Sequence, residues 1–449
     1  MGIDTGDTGW VLASAALVLF MTPGLALFYG GLVRSKNVLG TMMQSVAAIA
    51  IVSVVWVLAG YTLAFGPDAG GVIGGLAHTG FRGVTETPHA LAPTVPHSAF
   101  AAFQMMFAVI TPALIAGAFA ERVRFGGYVM FVAMWSLIVY APLAHWVWGG
   151  GFLGVDGIGA LDFAGGTVVH ISAGAAALAA ALFVGKRRGF PRGNFAPHNV
   201  PMVVLGAGIL WFGWFGFNAG SALGANGLAS SAFLATHLGA AGAMIGWLVL
   251  ERLRHGKATA VGGATGAVAG LVAITPAAGF VAALPALAIG LIGGAVCFAA
   301  VELKSRLGYD DSLDAVGVHM VGGLAGALLT GVFASLAVNP AGADGGWMQI
   351  GRQGAAAGIT LAFSFAATWA ILILVDRLVG FRMPAEAEDS GVDLAEHGES
   401  AYAFREHGRQ AIPPFEGMTD GELAEMRERL VLEATARVLE AIEAGHRRP

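Results

Sequence analysis

Two histidines interrupt long stretches that otherwise contain small and apolar residues. His170 lies in "GGTVVHISAGAAALAAALF", and His319 lies in "AVGVHMVGGLAGALLTGVF". An imidazole ring is readily neutral near pH 7, and two neutral rings can donate and accept hydrogen bonds in turn. Such a pair suits a small polar molecule or a proton, because a dehydrated cation such as K⁺ would be costly to hold among apolar residues.

Each histidine follows an aspartate by eight residues, Asp162 before His170 and Asp311 before His319. Two helices that enter a bilayer from opposite sides would each descend about 12 Å over that distance, in an apolar core about 30 Å thick. The two rings would then lie within roughly 6 Å of the same depth. We therefore predict that they meet near the middle of the membrane, where ionisable groups usually mark a pathway.

Other uses of histidine fit this pair less well. A single histidine in an apolar stretch more often bonds to a neighbouring backbone carbonyl, which is our interpretation of His145 and His237. Zinc needs at least three protein ligands, and neither H-x-x-x-H nor H-E-x-x-H occurs in the sequence. The one cysteine, Cys297, lies in an apolar run, which argues against disulfides and cysteine-based metal sites. We predict no metal site and no cofactor.

The composition predicts an all-α membrane protein with many spans. The 449 residues are 56% hydrophobic and only 12% charged, too little polar sequence to cover a soluble protein. The net charge of -5 is modest and indicates no nucleic-acid partner. Eleven apolar segments are long enough to cross a bilayer, at about 20 residues each. They are 10–33, 40–66, 98–120, 125–148, 163–185, 200–222, 229–251, 258–277, 280–303, 312–338 and 352–380.

The distribution of Lys and Arg predicts the orientation. With the N-terminus outside, 15 of these residues fall on the inner side and only Arg82 and Arg352 on the outer side, with 7 more in the tail. The positive-inside rule therefore places the N-terminus outside and the C-terminus inside. The first basic residue, Arg34, follows the first apolar run, so we interpret that run as a retained span. Eleven spans divide into five, five and one, which predicts a 5+5 inverted repeat with one histidine on the last span of each unit.

Five longer motifs carry a resemblance to a known family. They are "GLALFYGGLVRSKNVL" at 24–39, "AFQMMFAVITPALIAGAFAERVRF" at 102–125, "AHWVWGGGFLGVDGIGALDFAGGTVVHISAG" at 144–174, "PHNVPMVVLGAGILWFGWFGFNAGS" at 197–221 and "DDSLDAVGVHMVGG" at 310–323. Together they resemble the ammonium transporter family (the Amt, Mep and Rhesus group), with a likeness over residues 8–404. The resemblance implies a transporter of ammonium or ammonia, with methylammonium as an analogue, and not an enzyme. It also implies eleven spans, a homotrimer with one pore per subunit, and a place in the plasma membrane.

The resemblance assigns a recruitment site and a gate. Phe107, Trp148 and Ser221 would recruit ammonium on the outer side, and Phe107 would stack with Phe217 as a phenyl gate. The chemistry of these residues agrees, because an aromatic face attracts a cation by about 0.5–2 kcal/mol and a hydroxyl accepts hydrogen bonds. Phe103 lies one helical turn before Phe107 and shares its helix face. Any one of these aromatic residues, taken alone, would more often be a lipid-facing or interfacial residue.

The resemblance also assigns the pore. His170, His319 and Trp214 would line it, and Asp162 would order the outer vestibule. Asp162 equally fits a simple helix N-cap, so both interpretations stay open. Leu313, near the inner pore mouth, departs from the family pattern at a position outside the motifs, which we expect to affect rate rather than substrate.

A change of composition divides the chain. Residues 1–382 form the predicted channel domain, 383–404 a cytoplasmic tail of the family type, and 405–449 an amphipathic helical extension. The resemblance makes a PII-type regulator a candidate partner at the cytoplasmic face. The alternative function is an ammonium sensor that signals through its tail, although a tail of about 65 residues is short for a catalytic domain. Carbon dioxide passage, a third possibility, has no distinguishing feature in the sequence.

Overall fold

The computed structural model describes residues 2–402 and, in helical conformation, residues 421, 425, 428, 429, 432 and 435. The chain forms two compact units, Met1–Ala401 and Tyr402–Pro449. Most of the predicted amphipathic extension, 405–449, falls outside the described residues. The first unit contains the membrane domain and both histidines.

Helices make up most of this unit. In the described part of the chain, ten helices are long and apolar enough to cross a membrane: α1 (Thr5–Leu32), α2 (Ser35–Phe65), α3 (His97–Phe119), α4 (Phe125–Val147), α5 (Gly166–Val184), α6 (Val200–Ala222), α7 (Gly227–His255), α9 (Ala283–Leu307), α10 (Val316–Phe333) and α11 (Trp347–Val379). The prediction of an all-helical, multi-span membrane protein is confirmed. The predicted eighth span, 258–277, is a shorter apolar helix, α8 (Ala260–Ile274).

Short elements connect the helices. Between α2 and α3 the chain forms two small antiparallel hairpins, β1 (Asp68–Ala69) with β2 (Ile73–Gly74) and β3 (Pro88–His89) with β4 (Ala92–Pro96). After α11 come a short helix, α12 (Ala385–Ser390), and a π-helical turn, Asp393–His397. We call the end of the bundle where α4 meets α5 the Trp148 end, and the opposite end, where α5 finishes, the Arg187 end.

Glycines allow the helices around the histidines to pack at backbone distance. A Cβ atom on Gly206 of α6 would lie 2.3 Å from the backbone nitrogen of Phe28 on α1, and one on Gly213 would lie 2.2 Å from the Met21 side chain. Small residues are the usual means of close helix approach in a bilayer, where apolar burial gives no driving force. This packing brings α1 and α6 together beside α5 and α10.

Aspartates anchor the starts of the two histidine helices. The Asp162 carboxylate accepts hydrogen bonds from the backbone N–H groups of residues 165 to 168, at 2.7–3.1 Å. Asp311 accepts from Ala315 at 3.1 Å and from Val316 at 2.8 Å. Each aspartate therefore precedes its helix, and the predicted descent over eight helical residues was too long. The descent is overestimated by a similar amount for both helices, so the rings of His170 and His319 still lie at a similar depth.

Candidate functional site

The two histidine rings face each other inside the bundle. Their Nδ1 atoms are 3.3 Å apart, and the ring planes differ by 13°. His170 is 1% exposed and His319 is 4% exposed. When one Nδ1 donates a proton to the other, the donating ring keeps an acceptor at Nε2 and the accepting ring carries a donor there. The Nε2 of His170 has no hydrogen-bond partner among the described residues. The pair can therefore offer hydrogen-bonding positions to a passing molecule.

Beside the rings lies a narrow apolar cavity. The polar groups of two large side chains in its wall are occupied elsewhere. Trp214 donates from Nε1 to the Thr275 hydroxyl at 2.8 Å, and Tyr29 donates to the Leu114 carbonyl at 3.0 Å. The lining consists of Met21, Leu25, Phe28, Tyr29, Ile110, Leu114, Val169, His170, Leu210, Trp214, Phe217, Thr265, Val268, Leu313, Ala315, Val318 and His319.

Two phenyl rings separate this cavity from the Trp148 end. The ring centroids of Phe107 and Phe217 are 4.3 Å apart, and both side chains are buried. The Phe217 ring also stacks on the His170 ring, with ring centroids 6.1 Å apart. Phe103 packs edge-on against Phe107 at 4.9 Å. Phe217 therefore lies between Phe107 and His170 in this row of rings.

A second, wider cavity opens beyond the phenyl pair. Phe107, Trp148 and Ser221 all line it. The Trp148 ring is fixed because its Nε1 donates to the Asp162 carbonyl at 2.9 Å, and its centroid lies 6.0 Å from that of Phe107. Ser221 donates to the Phe217 carbonyl at 2.9 Å, so the lone pairs of its oxygen remain available as acceptors. We call this cavity the vestibule.

The structure shows how Asp162 is used. Its carboxylate is taken up by four backbone N–H groups at the start of α5, and its carbonyl holds the Trp148 ring. The residue caps the helix and orders the wall of the vestibule through its backbone. The two interpretations of Asp162 are thus compatible.

Gln104 is a vestibule residue that the sequence analysis missed. It lines the vestibule, it is 8% exposed, and its amide oxygen has no hydrogen-bond partner in the described part of the chain. Its position on α3, between Phe103 and Phe107, is the feature of the sequence that could have indicated a place in the vestibule. A buried amide oxygen left unpaired beside an aromatic site favours a ligand that can donate hydrogen bonds.

Two other span histidines, His145 and His237, lie outside both cavities. His145 contacts the Ala64 carbonyl through Nδ1 at 2.9 Å, as expected, and also contacts the Asp68 carboxylate through Nε2 at 2.9 Å. His237 packs against the Trp211 ring, with centroids 5.4 Å apart. Neither residue lines the cavity that holds the histidine pair.

A buried charge network closes the Arg187 end. Arg187 contacts both oxygens of the Asp310 carboxylate, at 2.8 and 2.9 Å, and contacts Glu121 at 3.2 Å. Glu121 also pairs with Arg34 at 3.0 Å. Burial alone would raise the pKa of Asp310, but the hydrogen bonds and charge of Arg187, with the charge of Arg122, hold that pKa below its usual value. The loops at this end are therefore fixed to one another by charge.

Comparison with known proteins identifies the family. A sequence model described as "Ammonium Transporter Family" matches residues 9–402. The chain is 52% identical over 405 residues to an ammonium transporter of Bacillus subtilis, covering 89% of this chain and 99% of that protein. The crystal structure of Saccharomyces cerevisiae Mep2 superposes with a TM-score of 0.80 at 39% identity, covering 86% of this chain and 88% of that one. A structure described as "Sensor Amt Protein" gives a TM-score of 0.80 at 31% identity, covering 87% and 98%. The chain belongs to the ammonium transporter family.

Proposed function

We propose that this protein carries ammonium nitrogen across a membrane, binding NH₄⁺ in the vestibule and passing NH₃ beside the histidine pair. The observation that carries the proposal is the stacked pair of histidines, 3.3 Å apart between Nδ1 atoms, in the wall of a narrow apolar cavity. The family membership supports the substrate. The vestibule supplies a site with the chemistry that a small N–H cation requires.

Recruitment depends on cation–π attraction combined with hydrogen-bond acceptors. Trp148 and Phe107 offer ring faces and edges around the vestibule, and such contacts are worth about 0.5–2 kcal/mol for a cation. Ser221 and the unpaired oxygen of Gln104 accept hydrogen bonds, which NH₄⁺ donates and K⁺ does not. The site thereby favours ammonium over an alkali cation of similar size.

Passage beyond the phenyl rings requires the loss of a proton. Among the residues that the structure describes, no Asp, Glu, Lys or Arg lines the inner cavity, and a cation there would lose its hydration without a counter-charge. Phe107 and Phe217 move apart, and ammonia advances to His170 and His319, which replace the hydrogen bonds that it leaves behind in water. The proton either returns to the vestibule side, which makes the protein a neutral channel, or crosses separately along the imidazoles, which makes transport electrogenic.

In this proposal the Trp148 end faces outward and the Arg187 end faces the cytoplasm of a cell enclosed by the plasma membrane. The arrangement of Lys and Arg supports that orientation. The proposal also includes eleven spans, arranged as two inverted repeats of five plus one, and a homotrimer with one pore in each subunit, as the resemblance implies. The shorter α8 would complete the eleven.

A cytoplasmic regulator would meet the Arg187 end. The tail residues contact the start of α2 there, because Asp393 accepts from the backbone nitrogen of Gly40 at 2.8 Å and Asn37 accepts from that of Val392 at 2.9 Å. Arg188 and Asp389 pair nearby at 2.8 Å and remain half exposed. This charged surface beneath the pathway fits the proposal that a PII-type protein binds there.

A flux assay in proteoliposomes tests the function. We expect saturable uptake of NH₄⁺ and methylammonium, with no uptake of K⁺, and loss of uptake in His170→Ala. His237→Ala is the matched control, because this histidine also lies in a span but outside the cavity. Currents on solid-supported membranes separate the two proton routes, since a neutral channel gives no ammonium-evoked current. Ammonium binding without any flux in the wild type would favour the sensor function instead.

A further inference from the structure

Gln353, a buried residue of α11, uses every hydrogen-bonding position of its side chain. Its amide oxygen accepts from the backbone N–H of Leu161 at 2.6 Å and from the side-chain amide of Gln349 at 3.2 Å. Its amide nitrogen donates to the Leu161 carbonyl at 2.7 Å and to the Ala327 carbonyl at 3.2 Å. Gln353 is 1% exposed and lines neither the vestibule nor the inner cavity. A fully satisfied buried amide of this kind fixes the groups around it.

The partners of Gln353 lie on the two segments that carry the histidines. Leu161 directly precedes Asp162, which caps α5 and therefore the helix of His170. Ala327 lies on α10, the helix that contains His319. One side chain from α11 is thus bonded to the approach of one histidine helix and to the body of the other.

The two histidine helices also pack closely at this place. A Cβ atom on Gly323 of α10 would lie 3.0 Å from the Gly166 carbonyl and 3.1 Å from the Cβ of His170. Ile171, Ala327 and Ala357 form one buried cluster that joins α5, α10 and α11. Protein interiors packed this tightly transmit small displacements rather than absorb them. A shift of Leu161 relative to Ala327 would therefore move the rings relative to each other.

We infer that Gln353 is a positioning residue, which clamps α5 to α10 and so sets the separation of the His170 and His319 rings. The inference rests on the proposed transport function but concerns a residue outside the pathway. Without the clamp, the backbone N–H and carbonyl of Leu161 lose their partner, and the rings lose their fixed registry. Ammonia transfer past the pair then slows, while recruitment in the vestibule persists.

Two variants and one control test this inference. Gln353→Leu removes all four hydrogen bonds at similar volume. Gln353→Glu keeps the oxygen that accepts from Leu161 but loses both donated bonds, and protonation of the new carboxyl restores a donor toward the Leu161 carbonyl. Thr368→Val is the matched control, because it removes a buried side-chain bond of 3.0 Å on the same helix, and that bond joins Thr368 to Trp135 of α4 rather than to either histidine helix.

The main measurement is the concentration dependence of methylammonium uptake in proteoliposomes, per folded protein, with the thermal midpoint of each variant measured in parallel. We expect Gln353→Leu to lower the maximal rate about tenfold while the half-saturating concentration stays within about twofold, because loss of alignment affects transfer more than binding. Thr368→Val keeps its maximal rate even where its thermal midpoint falls. The rate of Gln353→Glu, as a fraction of the wild-type rate at the same pH, rises as the pH falls from about 8 to about 5, because a protonated carboxyl donates.

A structure of Gln353→Leu by electron cryomicroscopy provides a readout independent of transport. The clamp predicts a separation of the two Nδ1 atoms beyond hydrogen-bond range, above about 3.5 Å. An unchanged separation, a maximal rate within twofold of wild type, or an equal loss in Thr368→Val would overturn the inference. If Gln353→Leu does not fold, the pH course of Gln353→Glu decides, and a constant fraction of the wild-type rate overturns the clamp. Absence of flux in the wild type would instead contradict the proposed function, and the separation in the variant would still judge the clamp.

Discussion

Removing the carboxylate of Asp162 should destabilise the start of α5 and stop transport. Four backbone N–H groups, those of residues 165 to 168, donate to this side chain at 2.7–3.1 Å, and Asp162 is 7% exposed. A buried donor left without a partner costs about 1–3 kcal/mol. Asp162→Ala leaves four such donors, so we expect a loss of at least about 4 kcal/mol when each is counted at the lower limit.

The corresponding asparagine variants provide an internal scale. In Asp162→Asn one oxygen can still accept from two N–H groups, while the new amide nitrogen faces the other two. Asp311 accepts only one N–H group per oxygen, from Ala315 and Val316, so Asp311→Asn leaves one donor unpaired. The expected order of destabilisation is therefore Asp162→Ala, then Asp162→Asn, then Asp311→Asn.

Thermal melts of the purified protein in detergent, followed by flux in proteoliposomes, measure both effects. Asp156→Asn is a suitable control, since Asp156 lines the vestibule but is exposed. For a chain of this size about 1 kcal/mol shifts the melting temperature by about 1 °C, so a melting temperature of Asp162→Ala within about 1 °C of wild type would refute this explanation of the cap. Normal flux in that variant would show that the position of His170 does not depend on Asp162.

Three further predictions concern the vestibule, the gate and the Arg187 end. Trp148→Leu and Ser221→Ala should each raise the half-saturating ammonium concentration about three- to tenfold, since each removes about 0.7–1.4 kcal/mol of ground-state attraction. The maximal rate should change less. Concentration-dependent currents or uptake measure both quantities, and a change in the maximal rate alone would contradict this prediction. Phe217→Ala should admit water beyond the vestibule and reduce the discrimination against K⁺, which a K⁺ flux assay detects; unchanged selectivity would argue against a gate. Arg187→Met should cost up to about 3–5 kcal/mol at pH 7, because it removes the closest partner of Asp310 and leaves the more distant Arg122, at 3.9 Å. The pKa of Asp310 is held below its usual value, so this stabilisation is present above the unfolded pKa of 3.8 and is lost as the pH falls through the folded pKa. The difference in melting temperature between variant and wild type should therefore become smaller as the pH falls below 3.8. A difference that stays constant with pH would contradict this prediction.

The sequence predicted the histidine pair well because its signal is local and repeated. Both rings lie at the same distance after an aspartate, and both aspartates anchor a helix start in the structure. The predicted helical descent from Asp162 to His170 was too long because Asp162 lies before the helix, in a turn where Gly165 has a φ of 122°. A count of residues cannot distinguish that turn from the helix that follows it.

Contacts between distant segments could not be predicted in the same way. Gln353 and Leu161 are 192 residues apart, and nothing in the sequence near either residue indicates their pairing. The eighth span appeared long in the sequence because apolar composition continues past its end. In the structure α8 finishes at Ile274, shortly before Pro276, which has no N–H group to continue a helix. Composition therefore predicted the number of apolar segments better than their lengths.

Ammonia flux through His319→Leu, compared with wild type and with His237→Leu, tests the central claim most directly. Stopped-flow measurement of the pH inside proteoliposomes after an ammonium jump gives the rate for each protein. We expect His319→Leu to lower the rate of ammonia flux about tenfold, equivalent to about 1.4 kcal/mol for one hydrogen bond lost in an apolar passage. His237→Leu should leave this rate unchanged. An equal rate in all three proteins would show that ammonia does not pass beside the histidine pair.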